Sequence, residues 1–235
     1  MAASAKPNPW TTRLISLLFV VIVLALVAVG LWRWQVNGWG SLVWLASFIV
    51  TGLIRAPYAR QTRDNEITDD RKDLSERLLL GGMFLTMMVL PPLHLATGVF
   101  GFANYVLPTW AIVVGAVLQL PFLWLFWRSH ADLGRNWSVS LEIHDEQSLV
   151  TEGVYARTRH PMYSAIWLAA IAQPLLIHNW IAGFLIIPAF AAMYFIRVPQ
   201  EEAMMQARFG EAYDRYVART GRIWPRLSGG RGAAA

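Results

Sequence analysis

The chain has 235 residues, of which 56% are hydrophobic and only 15% charged, with no cysteine and a formal net charge of +5. The apolar residues come in long blocks, which excludes an ordinary soluble globule, and the missing cysteine excludes disulfide frameworks, thiolate catalysis and Cys-type zinc sites. A helix needs about 20 mostly apolar residues to cross a hydrocarbon layer roughly 30 Å thick, and several blocks approach that length.

Taken in chain order, apolar runs predict spans over about Leu14–Leu31, Gly40–Ile54, Leu78–Val99 and Tyr105–Phe126. The first follows Arg13 and raises the question of a signal peptide. Its roughly 18 apolar residues exceed the 7 to 15 of a cleaved signal's core, so a retained span is expected. Trp32, Trp34 and Trp39 follow it, as amphipathic rings do at a membrane interface. The mixed-charge stretch Arg60–Lys72 reads as a solvated connection. Two more runs, Met162–Ile177 and Trp180–Ile196, are separated by little more than His178-Asn179, which predicts a tight helical hairpin. At about 1.5 Å per residue the 16 residues of the fifth run reach only roughly 24 Å, so it should draw polar residues inward.

Lys and Arg give the orientation. With the N-terminus inside and six spans, nineteen of the twenty basic residues fall on one side and only Arg33 on the other. The positive-inside rule then places both termini, and any chemistry among the basic loops, in the cytoplasm. The net charge is explained by loops facing anionic lipid, and no nucleic-acid partner is needed. The expected fold class is all-α: a polytopic membrane helical bundle of about six transmembrane helices, with a C-terminal helical hairpin. The organisation expected is a four-span region over 1–129, a region over 130–226 that carries the final helical hairpin, and a disordered tail over 227–235.

Two cytoplasmic segments are dense in polar chemistry. One runs from Leu133 through Gln147-Ser148-Leu149-Val150 and Tyr155 to Arg159-His160-Pro161-Met162-Tyr163; the other is Arg197-Val-Pro-Gln-Glu201-Glu202. A hairpin between them brings His160, Tyr163, Arg197 and Glu201 together. Pro199 is expected to break the helix, so that Arg197 and Glu201 point into one cavity from different segments. Plainer roles exist for each: Arg159 and Arg197 as interfacial anchors, His160-Pro161 as a helix cap, Glu201-Glu202 as the acidic first turn of a polar helix. His144, Asp145, Glu146 and Glu142 cluster without a second histidine at ligand spacing, so no metal site is expected. His94, His130 and His178 read as interfacial, and the tryptophans as lipid anchors.

The ordered set Leu149-Val-Thr-Glu-Gly-Val-Tyr, Arg159-His-Pro-Met-Tyr, Arg197 with Glu201-Glu202, and Phe209-Gly-Glu-Ala-Tyr resembles the isoprenylcysteine carboxyl methyltransferase and phospholipid methyltransferase superfamily of integral membrane enzymes, over roughly residues 130–226. The resemblance implies an S-adenosylmethionine pocket that opens laterally toward lipid, with a lipophilic or lipid substrate. Cofactor contacts would fall on Gln147, Ser148, Leu149, Val150, Tyr155, His160, Pro161, Met162, Tyr163 and Glu201. Arg197 would contact the acceptor, with Glu202 sharing the carboxylate role. Methyl transfer neutralises the sulfonium charge, so alignment and water exclusion matter most; an amine acceptor would also need a proton acceptor, for which Glu202 or His160 is nearest. The alternative is a non-enzymatic six-span transporter or assembly factor, which should carry ionisable groups at mid-membrane, and these runs have almost none.

Overall fold

The computed structural model describes residues 9–61, 67–70, 74–134, 142–144 and 148–226. Gln147, the tail 227–235 and most of the Arg60–Lys72 connection lie outside these. The described chain is helices joined by turns and irregular stretches, with one small antiparallel pair, β1 (Ile67–Asp70) against β2 (Glu142–His144), which ties the second connection to the segment before the site.

Four helical segments are long and apolar enough to cross a membrane: Trp39–Ala59, Leu74–Thr97, Thr109–Leu133 and Trp180–Phe209. Val20–Trp32 and Pro161–Leu176 are shorter apolar helices. Large apolar side chains point outward along most of them, among them Leu24 at 60% and Leu120 at 70% exposure. An apolar coat of this extent suits a hydrocarbon solvent, in which the helix ladder keeps every backbone group satisfied.

The chain runs α1 (Pro9–Trp32), the single turn α2 (Trp34–Asn37), α3 (Trp39–Gln61), α4 (Leu74–Phe84), a π-helical turn 85–89, α5 (Leu90–Thr97) and α6 (Thr109–Leu133). After a 3-10 turn at Gly153–Ala156 come α7 (Pro161–Leu176), a second π turn at Trp180–Phe184, α8 (Ile186–Phe209) and α9 (Glu211–Arg219). The first π turn precedes Pro91-Pro92, which bring no N–H to the ladder. There the Leu90 N–H donates to Leu85 O rather than to Thr86 O. Thr86 O instead accepts from Gln173 Nε2 at 3.1 Å, and the same amide nitrogen donates to Ala182 O at 2.9 Å. Trp44 Nε1 completes the knot by donating to Gln173 Oε1 at 3.2 Å. This buried side chain therefore joins α3, both π turns and α7, and Trp44 is a core residue, not a lipid anchor.

Helix α7 is clasped between α6 and α8. Its close fit to α6 depends on Gly115, where a Cβ would stand 2.9 Å from Leu175 Cβ. Asn179 N-caps the second π turn, its Oδ1 accepting from Ile181 N at 2.9 Å and Ala182 N at 2.8 Å. At Gly183 a Cβ would overlap the Ile177 carbonyl, so glycine lets the chain return closely onto α7.

Several expected boundaries move. Helix α3 continues past Ile54 to Gln61, α6 starts at Thr109 and runs to Leu133, and α4 begins at Leu74, which draws Glu76 into the bundle. Helix α8 passes through Pro199 unbroken to Phe209. A proline removes one ladder hydrogen bond, and here the surrounding turns hold the helix, so the expected break is absent. Glu201 and Glu202 accordingly lie within α8 and not in a first turn. His94 and His130 are core residues at 7% and 1% exposure rather than interfacial ones.

Candidate functional site

At one end of the bundle the N-terminus of α7, residues 197–202 of α8, the start of α4 and the segment 220–223 meet. Each arrives for a local reason. Pro161 fits the first helical position, where a missing N–H costs nothing, so α7 starts immediately after His160. Thr158 forms an isolated parallel bridge with Gly221, and the N–H groups of Arg159 and His160 donate to Gly221 O at 2.8 Å and Arg222 O at 2.9 Å. Ser164 Oγ reaches Ile223 O at 2.6 Å. The segment after α9 is thus stitched along the entrance of α7.

An ion-pair lattice fills the junction. Arg197 donates from Nε to Glu201 Oε1 at 2.8 Å, and its Nη1 stands 3.0 Å from Glu76 Oε1. The Arg197–Glu201 pair is an i,i+4 contact on one continuous helix, a correction to the two-segment geometry expected from Pro199. Tyr163 Oη donates to Glu201 Oε1 at 2.6 Å. His160 stands between the two adjacent carboxylates, Nδ1 at 3.5 Å from Glu201 Oε2 and Nε2 at 3.3 Å from Glu202 Oε1. Its ring meets Tyr163 edge-on at 5.6 Å. Burial alone would lower the imidazole's pKa, but the hydrogen bonds and charges of Glu201 and Glu202 outweigh it and hold the pKa above its ordinary value.

Glu202 is gripped from three sides. Besides His160, Arg159 Nε donates at 3.0 Å and Arg222 Nη2 at 2.5 Å. Arg159 also donates from Nη1 to Thr220 O at 2.7 Å and Val217 O at 3.4 Å, supplying donors to carbonyls at the end of α9 that lack helical partners. One guanidinium therefore locks α9, the following segment and α8 onto α7. That is a larger task than anchoring at a headgroup.

Tyr155 is buried, with Oη donating to Ser129 O at 3.3 Å and its carbonyl accepting from Tyr216 Oη at 2.8 Å. The turn that carries it is pinned to α6, because Asp132 accepts the Val154 N–H at 2.8 Å and also pairs with Arg128 at 2.6 Å. Gly153 has a φ of +58°, and a Cβ there would overlap the Asp132 carboxylate. Ser148 is exposed, and Leu149 and Val150 are half-buried in the irregular stretch leading to this turn. The structure therefore joins His160, Tyr163, Arg197, Glu201 and Glu202 in one cluster at the helix start made by Pro161, with Tyr155 tied to α6 and α9 beside it, while Met162 packs instead with the apolar residues around Phe122 and Phe126.

Sequence reasoning missed Glu76, Gly221 and Arg222. Glu76 is 2% exposed and sits in the first turn of α4. A carboxylate two residues after the start of an apolar helix was a legible sign, hidden by placing that span's start at Leu78. Nothing in the local pattern announces that 220–223 folds back onto α7.

The cluster presents both polarities side by side. Met162 and Tyr163, in the first turn of α7, have N–H groups with no acceptor earlier in the helix, at its positive end. Glu201 lies against the same turn; of the about four acceptor sites on its two oxygens, Arg197 and Tyr163 already use Oε1 and His160 faces Oε2. A group with a carboxylate and an ammonium on one carbon would find complementary partners in that donor and acceptor set.

The sequence profile of the isoprenylcysteine carboxyl methyltransferase (ICMT) family matches residues 113–207. Over these residues the chain is similar to that family. The match takes in most of α6, all of α7 and α8 nearly to its end, and it includes His160, Tyr163, Arg197, Glu201 and Glu202. It omits Glu76 and the segment 220–223. Among similar proteins are the protein-S-isoprenylcysteine O-methyltransferase of Schizosaccharomyces pombe, 30% identical over 33% of this chain and 33% of its own length, and the Arabidopsis thaliana protein-S-isoprenylcysteine O-methyltransferase B, 27% identical over 46% of this chain and 52% of its own. A nickel-cobalt-cadmium resistance protein NccN of Alcaligenes xylosoxydans xylosoxydans is 32% identical over 42% of this chain and 46% of its own. The aligned part thus spans between a third and about half the length of these relatives.

Proposed function

We propose that this protein is an integral membrane methyltransferase that takes its methyl group from S-adenosylmethionine and delivers it to a lipophilic or membrane-embedded acceptor, a carboxylate or an amine. One observation carries the reading: the start of α7 and the Arg197–Glu202 stretch of α8 interlock through His160 and Tyr163 inside the segment shared with the ICMT family. In this reading the six apolar helices all cross the bilayer, α7 and α8 form the C-terminal hairpin, and the charged end with both termini faces the cytoplasm.

The residues assigned to hold the cofactor are Glu201, His160, Pro161, Met162, Tyr163 and Tyr155, with Gln147, Ser148, Leu149 and Val150 from the preceding segment. S-adenosylmethionine, when bound, supplies a methyl group on a sulfonium that needs no protein nucleophile. The chain's own tasks are orientation and exclusion of water. First-turn N–H groups of α7 receive a carboxylate and Glu201 receives donors, while Tyr163 and Arg197 fix the Glu201 rotamer. Arg197, turned by Glu76 on one side and Glu201 on the other, orients the polar end of the acceptor. For an amine acceptor, Glu202 or His160 receives the proton released on alkylation.

Detergent-solubilised protein should bind S-adenosylhomocysteine, and Glu201→Ala and His160→Ala should each abolish that binding. Undiminished binding in both variants would remove the pocket assigned here. Incubation with labelled cofactor and a native membrane lipid extract then identifies the acceptor.

A further inference from the structure

The opposite end of the bundle is built almost without charge. Residues 30–41, 97–109 and 176–182 contain no Asp or Glu, and Arg33 is their only Lys or Arg. These residues form the end of α1, α2, the start of α3, the loop into α6 and the turn between α7 and α8. An arginine here has no carboxylate from its own end of the chain to pair with.

Arg33 does not reach freely outward. Its N–H donates to Val29 O at 2.9 Å, and α2 is fastened to α5 by Asn37 Nδ2 donating to Leu95 O at 2.8 Å. The guanidinium folds toward the end of α5, with Nη2 at 3.4 Å from where a Cβ on Gly98 would stand. Gly98 has a φ of +72° and its N–H donates to His94 O at 2.6 Å, so the left-handed cap of α5 also leaves room for the arginine. Among the described residues Arg33 Nε is buried with no hydrogen-bond partner. His94, one turn back on α5 and 7% exposed, likewise has a buried Nδ1 with no partner, while its ring stacks on Phe100 at 6.0 Å.

Buried polar atoms without a partner are costly, about 1–3 kcal/mol for a neutral group and more for a charged one, so the Arg33 Nε–H near the buried His94 Nδ1 calls for an acceptor supplied from outside the chain. The chemistry required is an anion with several oxygen acceptors that can take an arginine's fork and an imidazole N–H together, which describes a phosphate. The surroundings indicate its source. Trp32 is 81% exposed, Trp110 68% and Trp180 55%, and exposed rings of this kind lie at headgroup depth when a bundle crosses a bilayer.

We propose that Arg33 and His94 form a binding site for the phosphodiester of a phospholipid in the leaflet facing the aromatic end, with Gly98 and Phe100 shaping the recess. The site rests on the membrane-spanning reading of the helices and is independent of the methyl-donor pocket at the other end.

The test uses the full chain in a mild detergent, with thermal unfolding followed against short-chain phosphatidylglycerol, the matching diacylglycerol and inorganic phosphate. Phosphatidylglycerol is expected to raise the melting temperature where diacylglycerol does not, through binding to the folded state. Arg33→Gln should weaken the apparent affinity about tenfold or more, as expected for loss of charge-assisted hydrogen bonds. His94→Gln should weaken it less, and Arg33→Lys should recover part of the loss. An equal response in wild type and Arg33→Gln, or an equal effect of diacylglycerol, overturns the site. Inorganic phosphate acting as well as the lipid at the same concentration overturns the lipid as occupant. His94→Gln keeps the test open if Arg33→Gln fails to fold. S-adenosylhomocysteine binding should be unchanged in all three variants, which separates failure here from failure of the donor pocket.

Discussion

Replacing Glu76 with glutamine is the most informative perturbation of the charged end. Glu76 comes from α4, outside the segment shared with the ICMT family, yet its carboxylate stands 3.0 Å from Arg197 Nη1, and the two side chains are only 2% and 8% exposed. Glutamine keeps the shape and removes the charge. Breaking a buried ion pair by removing one partner costs about 3–5 kcal/mol, and a hydrogen bond to a charged group is worth about 1.5–3 kcal/mol. Arg197 retains Glu201 at 2.8 Å, so the lower part of this range applies, about 2–3 kcal/mol. For a chain of this size that corresponds to a fall of roughly 4–12 °C in melting temperature. The guanidinium should also pivot toward Glu201, and S-adenosylhomocysteine affinity should drop with it. Thermal unfolding in detergent and calorimetric titration measure the two effects separately. A Glu76→Gln protein with wild-type melting temperature and wild-type affinity would refute the claim that α4 completes the site.

The His160 imidazole has a folded pKa held above its ordinary value by Glu201 and Glu202. Its pairing therefore stabilises the fold fully below the unfolded value of about 6.5 and ceases to do so as pH rises through the elevated folded value. The melting-temperature gap between wild type and His160→Gln should be widest near the acidic end of a pH 5.5–8.5 series, values set around that same unfolded pKa, and should narrow upward; a gap that widens with pH would contradict the bridging role. Two glycine substitutions should diverge. Gly183→Ala pushes a methyl into the Ile177 carbonyl and should destabilise strongly, whereas Gly81→Ala, in α4 with nothing within 4 Å of the added carbon, should be neutral or stabilise by up to about 1 kcal/mol. Equal melting temperatures for the pair would contradict the close return of the chain onto α7.

The two halves of the site were legible because hydrophobic blocks and polar punctuation are local properties. The short stretch between Ile177 and Trp180 by itself implies that the His160 and Glu201 regions lie near each other. Other features depended on which carbonyls and charges lacked partners elsewhere. Pro199 reads as a break in isolation, yet α8 is continuous through it. Trp44 reads as a lipid anchor, yet it turns inward to bond Gln173. His130 reads as interfacial, yet its Nδ1 lies 2.8 Å from Phe126 O in the core.

By itself the sequence determined that this chain is a helical membrane protein, that its cations gather at one end and that His160, Tyr163, Arg197 and Glu201 share that end, because burial periodicity and charge asymmetry are written residue by residue. Only the tertiary structure decided that Glu76 reaches Arg197, that 220–223 closes over the start of α7 and that Arg33 lies by the end of α5 that carries His94. Those pairings join segments far apart in sequence, and their partners are selected by the demand that each buried polar group be satisfied in a medium without water.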